Sequence, residues 1–175
     1  TTRYTYLIDT SQEEKAILNG FKPNIKKHIR KSEELFEVKE ASSIDALFYL
    51  HQADLNTKGI ELLFSKEEFE KLDAAISGQR KIIHAYDKVG EVVCAFYIVF
   101  DHQYAHYLIG AVKDDFRNSG VMSLLMWESI KEAKKRNLTF NFEGSMNKNI
   151  ERFFASFGGQ LTPFMKISKT NKRPS

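Results

Sequence analysis

A strand, a glycine-containing turn and a long helix follow one another between Gln103 and Arg136. Gln103–Val112 is rich in aromatic and aliphatic residues, which predicts a β-strand. From Ser119 onward, apolar residues recur at helical spacing and cations crowd the last turn, where they suit the negative end of the helix dipole. The chain must therefore provide a sheet against which this helix packs.

The turn between the two elements is a candidate anion site. It consists of Arg117, Asn118, Ser119, Gly120, Val121 and Met122. The start of a helix presents free backbone N–H groups to an anion, and Gly120 permits a close approach to the backbone. Arg117 can add a charge-assisted contact to a phosphate. A plain connection in which Gly120 only satisfies turn geometry explains the same spacing equally well.

The remaining segments alternate between predicted strands and helices around this unit. The predicted strands are Tyr4–Thr10, Phe36–Ala41, Lys81–Tyr86, Glu91–Phe100, Leu138–Glu143 and Gln160–Lys169; the predicted helices begin at Ser11, capped by that serine, at Phe21, Ser43 and Ser65, the last with a capping box to Glu68, and at Asn147. Mixed elements around one sheet indicate a mixed α/β (α+β) fold in a single domain, 1–175, with a disordered polar tail at 170–175.

Composition narrows the class of protein. With 175 residues, 42% hydrophobic and 28% charged, the chain resembles an ordinary globular domain, and its net charge of +3 is compatible with an anionic ligand. No apolar run reaches transmembrane length and no signal peptide opens the chain, so we expect no membrane span and a cytoplasmic location. Cys94 lies mid-strand, where a buried, inert thiol is expected.

The helix that begins at Phe21 is strongly basic. Lys22–Lys31 carries five lysines and arginines and one histidine around an apolar face at Phe21, Ile25 and Ile29. A solvated basic face is the simpler interpretation. The alternative is a contact with a polyanion such as the backbone of tRNA.

A second candidate site follows the strand after the long helix. Glu143 is placed at the end of that strand, where side chains commonly line a crevice, and a carboxylate there can act as a general base toward an amine. Ser145 can hold a substrate or cap the next helix, and the cap is the simpler role. The five histidines are scattered and predict no metal site.

These motifs resemble the GNAT acyltransferase superfamily. The strand, the Arg117-x-x-Gly120-x-Met122 turn and the helix look like its acyl-CoA pyrophosphate loop, except that Met122 stands where a small residue is usual. The C-terminal segment is similar to the GNAT-like subgroup related to the Fem peptidyltransferases, matching it at Phe142, Glu143, Gly144, Ser145, Ile150, Glu151, Arg152, Phe153, Phe154, Phe157 and Gly158. Asn141 replaces an aspartate that is usual there.

The resemblance covers nearly the whole chain and implies a GNAT-like fold: a mostly antiparallel, twisted sheet of six to seven strands flanked by helices. The N-terminal stretch from Thr5 through Ser32 looks like the segment leading into the second of two GNAT-like halves. The resemblance thus implies that this domain can be the C-terminal half of a longer protein.

The resemblance also implies roles for site residues. Leu108, Ile109, Gly110 and Val112 would offer backbone groups to the donor, and the turn would hold its phosphates. Glu143, with Tyr107 or His106, would deprotonate the acceptor; because neighbouring strand residues face opposite sides, only one of that pair lines the cleft. The helix that often supplies a tyrosine acid in CoA-using members offers only phenylalanines here, and phenylalanine donates no proton.

Three functions remain open from the sequence. The first is an N-acyltransferase using acetyl-CoA or another acyl-CoA with a small-molecule or peptide amine. The second is an aminoacyl-tRNA-dependent transferase acting on a cell-envelope precursor, as the Fem resemblance implies. The third is a non-catalytic, GNAT-shaped binding domain. The sequence does not predict an oligomeric state.

Overall fold

A computed structural model describes residues 2–144 and 147–167. The strands are β1 (Thr2–Ile8), β2 (Glu37–Ala41), β3 (Arg80–Tyr86), β4 (Val92–Phe100), β5 (Tyr104–Val112), β6 (Thr139–Asn141) and β7 (Gln160–Met165). The α-helices are α1 (Glu14–Asn19), α2 (Pro23–Glu33), α3 (Asp45–Thr57), α4 (Lys66–Ala75), α5 (Val121–Lys135) and α6 (Lys148–Ala155). The predicted mixed α/β class with a sheet of six to seven strands is confirmed.

All seven strands form one sheet in the order β2-β3-β4-β5-β6-β1-β7. Every neighbouring pair is antiparallel except β5 and β6, which run parallel with α5 as the crossover between them. β1 lies between β6 and β7, so one half of the sheet combines a strand from the beginning of the sequence with two strands from near its end. Strands β3, β4 and β5 form an antiparallel meander.

Each face of the sheet has its own hydrophobic core. On one face, α1, α2, α5 and α6 cover a cluster that includes Phe96, Phe140 and Trp127. On the other, α3 and α4 cover a smaller cluster that includes Leu47, Phe69 and Tyr97. Alternate residues of a strand point to opposite faces of the sheet. The near-continuous apolar run of β4 therefore places apolar side chains on both faces, and both must be covered.

Strand β5 carries a β-bulge and a free edge. Tyr97 on β4 lies opposite Ile109 and Ile98 lies opposite Tyr107, so Leu108 is the extra residue and half its surface is exposed. On its other side, β5 pairs with β6 only from Tyr104 to His106. Among the described residues, no strand pairs with the backbone from Tyr107 to Val112 on that side, and the two parallel strands diverge into a fork.

Several element ends differ from the sequence prediction. Ser11 does not cap α1; Glu13 occupies the N-cap position without a side-chain bond, and the Ser11 N–H instead donates to Asp9. Strand β6 ends at Asn141 because the backbone of Glu143 turns to a positive φ of 62°. Strand β7 ends at Met165; the predicted extension to Lys169 reaches beyond the described residues, as does the tail at 170–175.

Other local predictions are confirmed. Ser65 and Glu68 form the reciprocal capping box of α4. Gly90 has a φ of 85° in the hairpin between β3 and β4. Cys94 is fully buried, and that burial raises the pKa of its thiol, as expected for an inert core cysteine. Within residues 2–144 and 147–167, no helix has the length and apolar character needed to span a membrane.

Candidate functional site

The fork between β5 and β6 opens into a cavity of about 520 Å³. Its walls come from the free part of β5, from the segment after β6, from α6, from the turn before α5 and from α3. The predicted residues that line it are Tyr107, Leu108, Ile109, Gly110, Val112, Arg117, Met122 and Glu143. A concave, mostly apolar cavity with a few polar groups at its rim is typical of a small-molecule site.

Glu143 is held at the cavity wall by a backbone corner. Its own φ of 62° is unusual for a residue other than glycine. The neighbouring Gly144 has a φ of 69°, and a Cβ there would stand 2.2 Å from the carbonyl oxygen of Tyr4 on β1. Only glycine fits that position. The corner, which we define as residues 141–144, is thereby pressed against β1.

Polar side chains fix the Glu143 carboxylate within this corner. Its Oε1 accepts a hydrogen bond from Asn141 Nδ2 at 2.9 Å and contacts His106 Nδ1. Asn141 Oδ1 in turn accepts from the Glu143 backbone N–H at 2.9 Å and from Thr5 Oγ1 at 2.7 Å. The asparagine that departs from the subgroup pattern therefore organises the corner, since an amide can donate to the carboxylate and accept from the other two groups at once.

Tyr107 also lines the cavity, with its ring among aromatic side chains. The centroid of its ring is 4.8 Å from that of Phe96 and 5.8 Å from that of Phe154. Its hydroxyl stands 2.1 Å from where a Cβ on Gly110 would be, so the glycine makes the space for the phenol. Burial raises the pKa of Tyr107. No described residue accepts from or donates to this hydroxyl, and it is the only hydroxyl group among the described lining residues.

Strand alternation explains why Tyr107, and not His106, lines the cavity, and the bulge explains why Gly110 lies beside Tyr107. Alternation along β5 places Tyr107 on the face of α5 and α6, and the extra Leu108 places Gly110 on that same face. His106 points to the other face, where it contacts the carboxylates of Glu143 and Asp101. The sequence prediction that only one of the pair lines the cleft agrees with this geometry.

The polar groups of the turn before α5 are engaged by side chains of the turn itself and of α3. Arg117 donates to two carboxylates, through Nε to Asp114 and through Nη2 to Asp54 on α3. Ser119 Oγ accepts the Val121 N–H at 3.2 Å, which caps one of the N–H groups at the start of the helix. Gly120 has a φ of 89° and approaches α2 so closely that a Cβ would meet the Cβ of His28 at 2.8 Å.

Four of the six predicted turn residues therefore stand apart from the cavity. Asn118, Ser119, Gly120 and Val121 do not line it, whereas Arg117 and Met122 do. Val121 is fully buried in the core, and the Ser119 carbonyl accepts a bond from Ser32 Oγ at 3.2 Å. The space beside the Gly120 backbone, which was expected to admit a ligand, is occupied by α2.

Helix α3 supplies residues that sequence analysis missed. His51, Asp54, Lys58 and Phe64, the last just after the helix, line the cavity. Asp54 is only 13% exposed and accepts from Lys58 Nζ at 2.6 Å as well as from Arg117. Burial works against the charged form of Asp54, but the bonds from Arg117 and Lys58 prevail and lower its pKa. Burial lowers the pKa of His51, which keeps that imidazole neutral. The spacing of Asp54 and Lys58 at i, i+4 was visible, but nothing in the sequence joined α3 to Arg117.

The basic face of α2 lies on the outer surface, away from the cavity. Lys22, Lys27, Arg30 and Lys31 are exposed, and Lys26 is half-buried. Within the described part of the chain none of these five cations forms an ion pair, although sixteen ion pairs occur there. They form a surface of uncompensated positive charge.

Two points of the sequence analysis remain, the role of Ser145 and the question of a metal site. Ser145 lies outside the described residues, so its proposed roles stay predictions. Among residues 2–144 and 147–167, no group of three or more histidine, cysteine, aspartate or glutamate side chains is arranged to hold a metal ion.

Comparison with protein-family models identifies the class. Residues 19–147 match the model of the acetyltransferase (GNAT) domain. The match covers most of the chain and includes the fork, the turn and the Glu143 corner, so the chain belongs to the GNAT acetyltransferase domain family. Comparison with curated protein sequences gives no match.

Solved structures with the same fold include Fem-type and acetyltransferase proteins. "Crystal structure of FemX" aligns with a TM-score of 0.82 at 14% identity, over 91% of this chain and 59% of that one. The C-terminal domain of a putative lysylphosphatidylglycerol synthetase from Agrobacterium fabrum aligns at 0.67 and 16% identity, over 93% and 59%. The aminoglycoside 6'-N-acetyltransferase AAC(6')-Ih from Acinetobacter baumannii aligns at 0.60 and 15% identity, over 79% and 99%.

These likenesses describe the fold. The chain spans about three fifths of the length of the FemX and synthetase structures that it matches. It aligns with nearly all of the 6'-N-acetyltransferase structure.

Proposed function

We propose that this domain is an N-acyltransferase that moves an acyl group from an activated donor to an amine in the fork between β5 and β6. The observation that carries the proposal is the unpaired edge of β5 from Tyr107 to Val112, beside a cavity with a carboxylate at its wall. Free backbone groups can align an extended donor, and N–H groups near the bulge can stabilise the oxyanion that forms on its carbonyl.

Two side chains divide the proton transfers. Glu143 takes a proton from the acceptor amine as nitrogen attacks the donor carbonyl. When the tetrahedral intermediate collapses, the bond to the leaving sulfur or oxygen breaks and the electron pair goes to that atom. Tyr107 then donates its phenolic proton to it and is reprotonated from solvent. Support for this role is that Tyr107 offers an unpartnered hydroxyl in the cavity, while Phe153 and Phe154 on α6 offer none.

The test combines binding and turnover. Isothermal titration of the wild-type chain with acetyl-CoA and with CoA, followed by mass spectrometry of amines incubated with the donor, is expected to reveal micromolar binding, about −8 kcal/mol, and acylated amine. Glu143→Gln should retain donor binding and lose about 100-fold or more in rate. Glu151→Gln, an equal change on the exposed side of α6, is the control. Undiminished turnover in Glu143→Gln contradicts the assignment of the base.

An aminoacyl-tRNA donor is the second candidate, and two observations favour it. Arg117 is already engaged by Asp54 and Asp114, so the turn offers less positive charge to a pyrophosphate. The face of α2 has uncompensated cations that suit the backbone of a nucleic acid. On this candidate, acetyl-CoA does not bind and charged tRNA does.

Charge reversal distinguishes the two donors. Reversal of Lys26, Lys27 and Arg30 to glutamate should weaken tRNA binding and flatten its dependence on salt, by a slope of roughly one for each lost phosphate contact. It should leave acetyl-CoA binding unchanged. Lys88→Glu, on the turn between β3 and β4, controls for reversal of one positive charge elsewhere on the surface. If the triple variant binds tRNA as tightly as the wild type, the second candidate is wrong.

A further inference from the structure

His106 lies between two carboxylates, one at the cavity and one at the surface. Its Nδ1 contacts Glu143 Oε1, and its Nε2 is 2.9 Å from Asp101 Oδ2. The side chain is only 23% exposed, and it is not among the residues that line the cavity. Both ring nitrogens therefore face acceptors, and an imidazole satisfies two acceptors only when both nitrogens carry protons.

The surroundings of His106 favour that doubly protonated form. The charged groups that face the His106 ring are Glu143, after β6, and Asp101, in the turn between β4 and β5. The residue that pairs with His106 on β4 is the uncharged Val99. The hydrogen bond with Glu143 and, against burial, the bond with Asp101 raise the pKa of His106. In its protonated form, His106 is a cation between two carboxylates.

Asp101 is anchored so firmly that it can orient the ring. Its Oδ1 accepts the backbone N–H groups of Gln103 at 2.7 Å and Tyr104 at 2.6 Å, which closes the turn into β5. Burial alone would raise its pKa, but the bonds from His106 and from these N–H groups lower it to about 2. The carboxylate stays charged at any pH of interest, so the turn works as a rigid anchor for the Nε2 side of the ring.

The two oxygens of Glu143 have different surroundings. Oε1 carries both described contacts, from Asn141 Nδ2 and from His106. Oε2 has no partner among the described residues. Because one oxygen is held on two sides, the carboxylate plane is fixed, and the other oxygen remains for a group that enters the cavity.

We propose that His106 is a positioning residue that orients the free oxygen of Glu143 toward the acceptor amine, with Asp101 holding His106 in place. The inference rests on the proposed N-acyltransferase function and extends it to two residues that do not touch substrate. An acceptor that arrives as an ammonium then meets an oriented carboxylate oxygen at the cavity wall, and the imidazolium balances the charge behind it.

The kinetic test compares His106→Ala with His102→Ala. His102 lies in the same turn, is exposed, and has no hydrogen bond among the described residues, so it controls for loss of an imidazole near β5. His106→Ala should lower kcat by up to about 100-fold through misplacement of the base, with KM for the amine within about twofold. Added imidazole should restore part of the rate, and the acidic limb of the pH–rate profile should move to higher pH.

Asp101→Asn sharpens the result because it keeps the size of the side chain. It should lower kcat less than His106→Ala, since Glu143 still holds Nδ1. A His106→Ala variant with the wild-type rate and profile, or with a loss no greater than that of His102→Ala, overturns the inference. A loss that imidazole does not rescue and that comes with a lowered melting temperature indicates a structural role and also overturns it.

A second measurement separates this inference from the proposed function. NMR titration of the His106 ring in the wild-type chain should give a pKa above 6.5 with both ring N–H groups protonated, and the pKa should fall in Glu143→Gln and in Asp101→Asn. An unchanged pKa in both variants overturns the pairing whatever the enzyme transfers. If the pairing is found but no donor and amine react, the proposed function has failed and the orientation of Glu143 stands.

Discussion

The Glu143 corner and the Arg117–Met122 turn are both backbone turns beside the cavity, but their polar groups are used differently. In the corner, Asn141 and His106 occupy one oxygen of Glu143 and leave the other without a described partner. In the turn, Arg117 is engaged by two carboxylates and the start of α5 is capped by Ser119. The corner leaves one carboxylate oxygen without a described partner, whereas the contacts of the turn join α2, α3 and α5.

This difference shows that whether a turn motif can bind a ligand depends on the residues packed around it. Both turns contain a glycine with positive φ and a charged residue three or fewer positions away. In each, the glycine permits a close backbone approach, to β1 at Gly144 and to α2 at Gly120. The contacts around each turn, from nearby residues and from distant elements, decide whether the charged side chain remains available.

The variant with the largest expected effect tests whether Tyr107 takes part in the chemistry. Tyr107→Phe removes only the unpartnered hydroxyl, so stability should change little while the transfer rate falls about 100-fold. Rates of amine acylation and a urea unfolding curve measure the two quantities. Tyr49→Phe, on an exposed face of α3, is the matched control. A full rate in Tyr107→Phe would remove this residue from the mechanism.

The next effect disturbs the corner through its backbone. Gly144→Ala sets a Cβ against the Tyr4 carbonyl at a positive φ, and should cost about 1–3 kcal/mol in the free energy of unfolding. Because the strain acts on Glu143, the rate should fall as well. Gly78→Ala has no atom within 4 Å of its new Cβ and should be nearly neutral. Urea unfolding of both variants makes the comparison, and equal midpoints would contradict the close approach to β1.

A smaller effect tests whether the turn is closed by Asp54. Asp54→Asn removes one of the two carboxylates from Arg117 and should tighten binding of CoA by about tenfold, or about 1.4 kcal/mol. Asp115→Asn makes the same change of charge at an exposed neighbour that has no ion pair among the described residues. Isothermal titration compares the two. Equal affinity in both variants would mean that Asp54 does not restrict the turn.

The smallest effect is the pH dependence of stability that His106 confers. Its pKa is raised in the folded state, so its stabilisation is fully present below the unfolded value of about 6.5 and is lost as pH rises through the folded pKa. The site is partly exposed, so the change should stay below about 1 kcal/mol. Unfolding midpoints between about pH 5 and 9 should slope less in His106→Gln than in the wild type, and His102→Gln should retain the slope.

Much of the fold could be predicted from the sequence because local patterns carry it. The strand-forming residues of β3, β4 and β5 and the helical spacing in α5 depend on residues close in the chain, and all these elements are present. Their ends were less predictable. Glu143 follows its strand with a positive φ, and the next residue, Gly144, lies against the β1 backbone, a partner that no local rule anticipates.

The site was only half accessible to sequence reasoning. Glu143 and Tyr107 could be named because a carboxylate after a strand and a tyrosine within one are visible locally. The involvement of Asp54 and His51 could not, because α3 approaches the turn across more than fifty residues of chain. The role of Asn141 in bonding Glu143, Thr5 and the backbone was equally hidden, since it depends on β1 lying beside β6.

The position of β1 also sets an order of events in folding. Its partners begin more than 130 residues later, with Leu7 opposite Asn141 and Thr2 opposite Met165. During synthesis β1 has no strand to pair with until β6 and β7 have left the ribosome, and such distant pairing is slow because a long loop must close. The corner that holds Glu143 needs Thr5 and the Tyr4 carbonyl, so the candidate site is among the last parts of the domain to form.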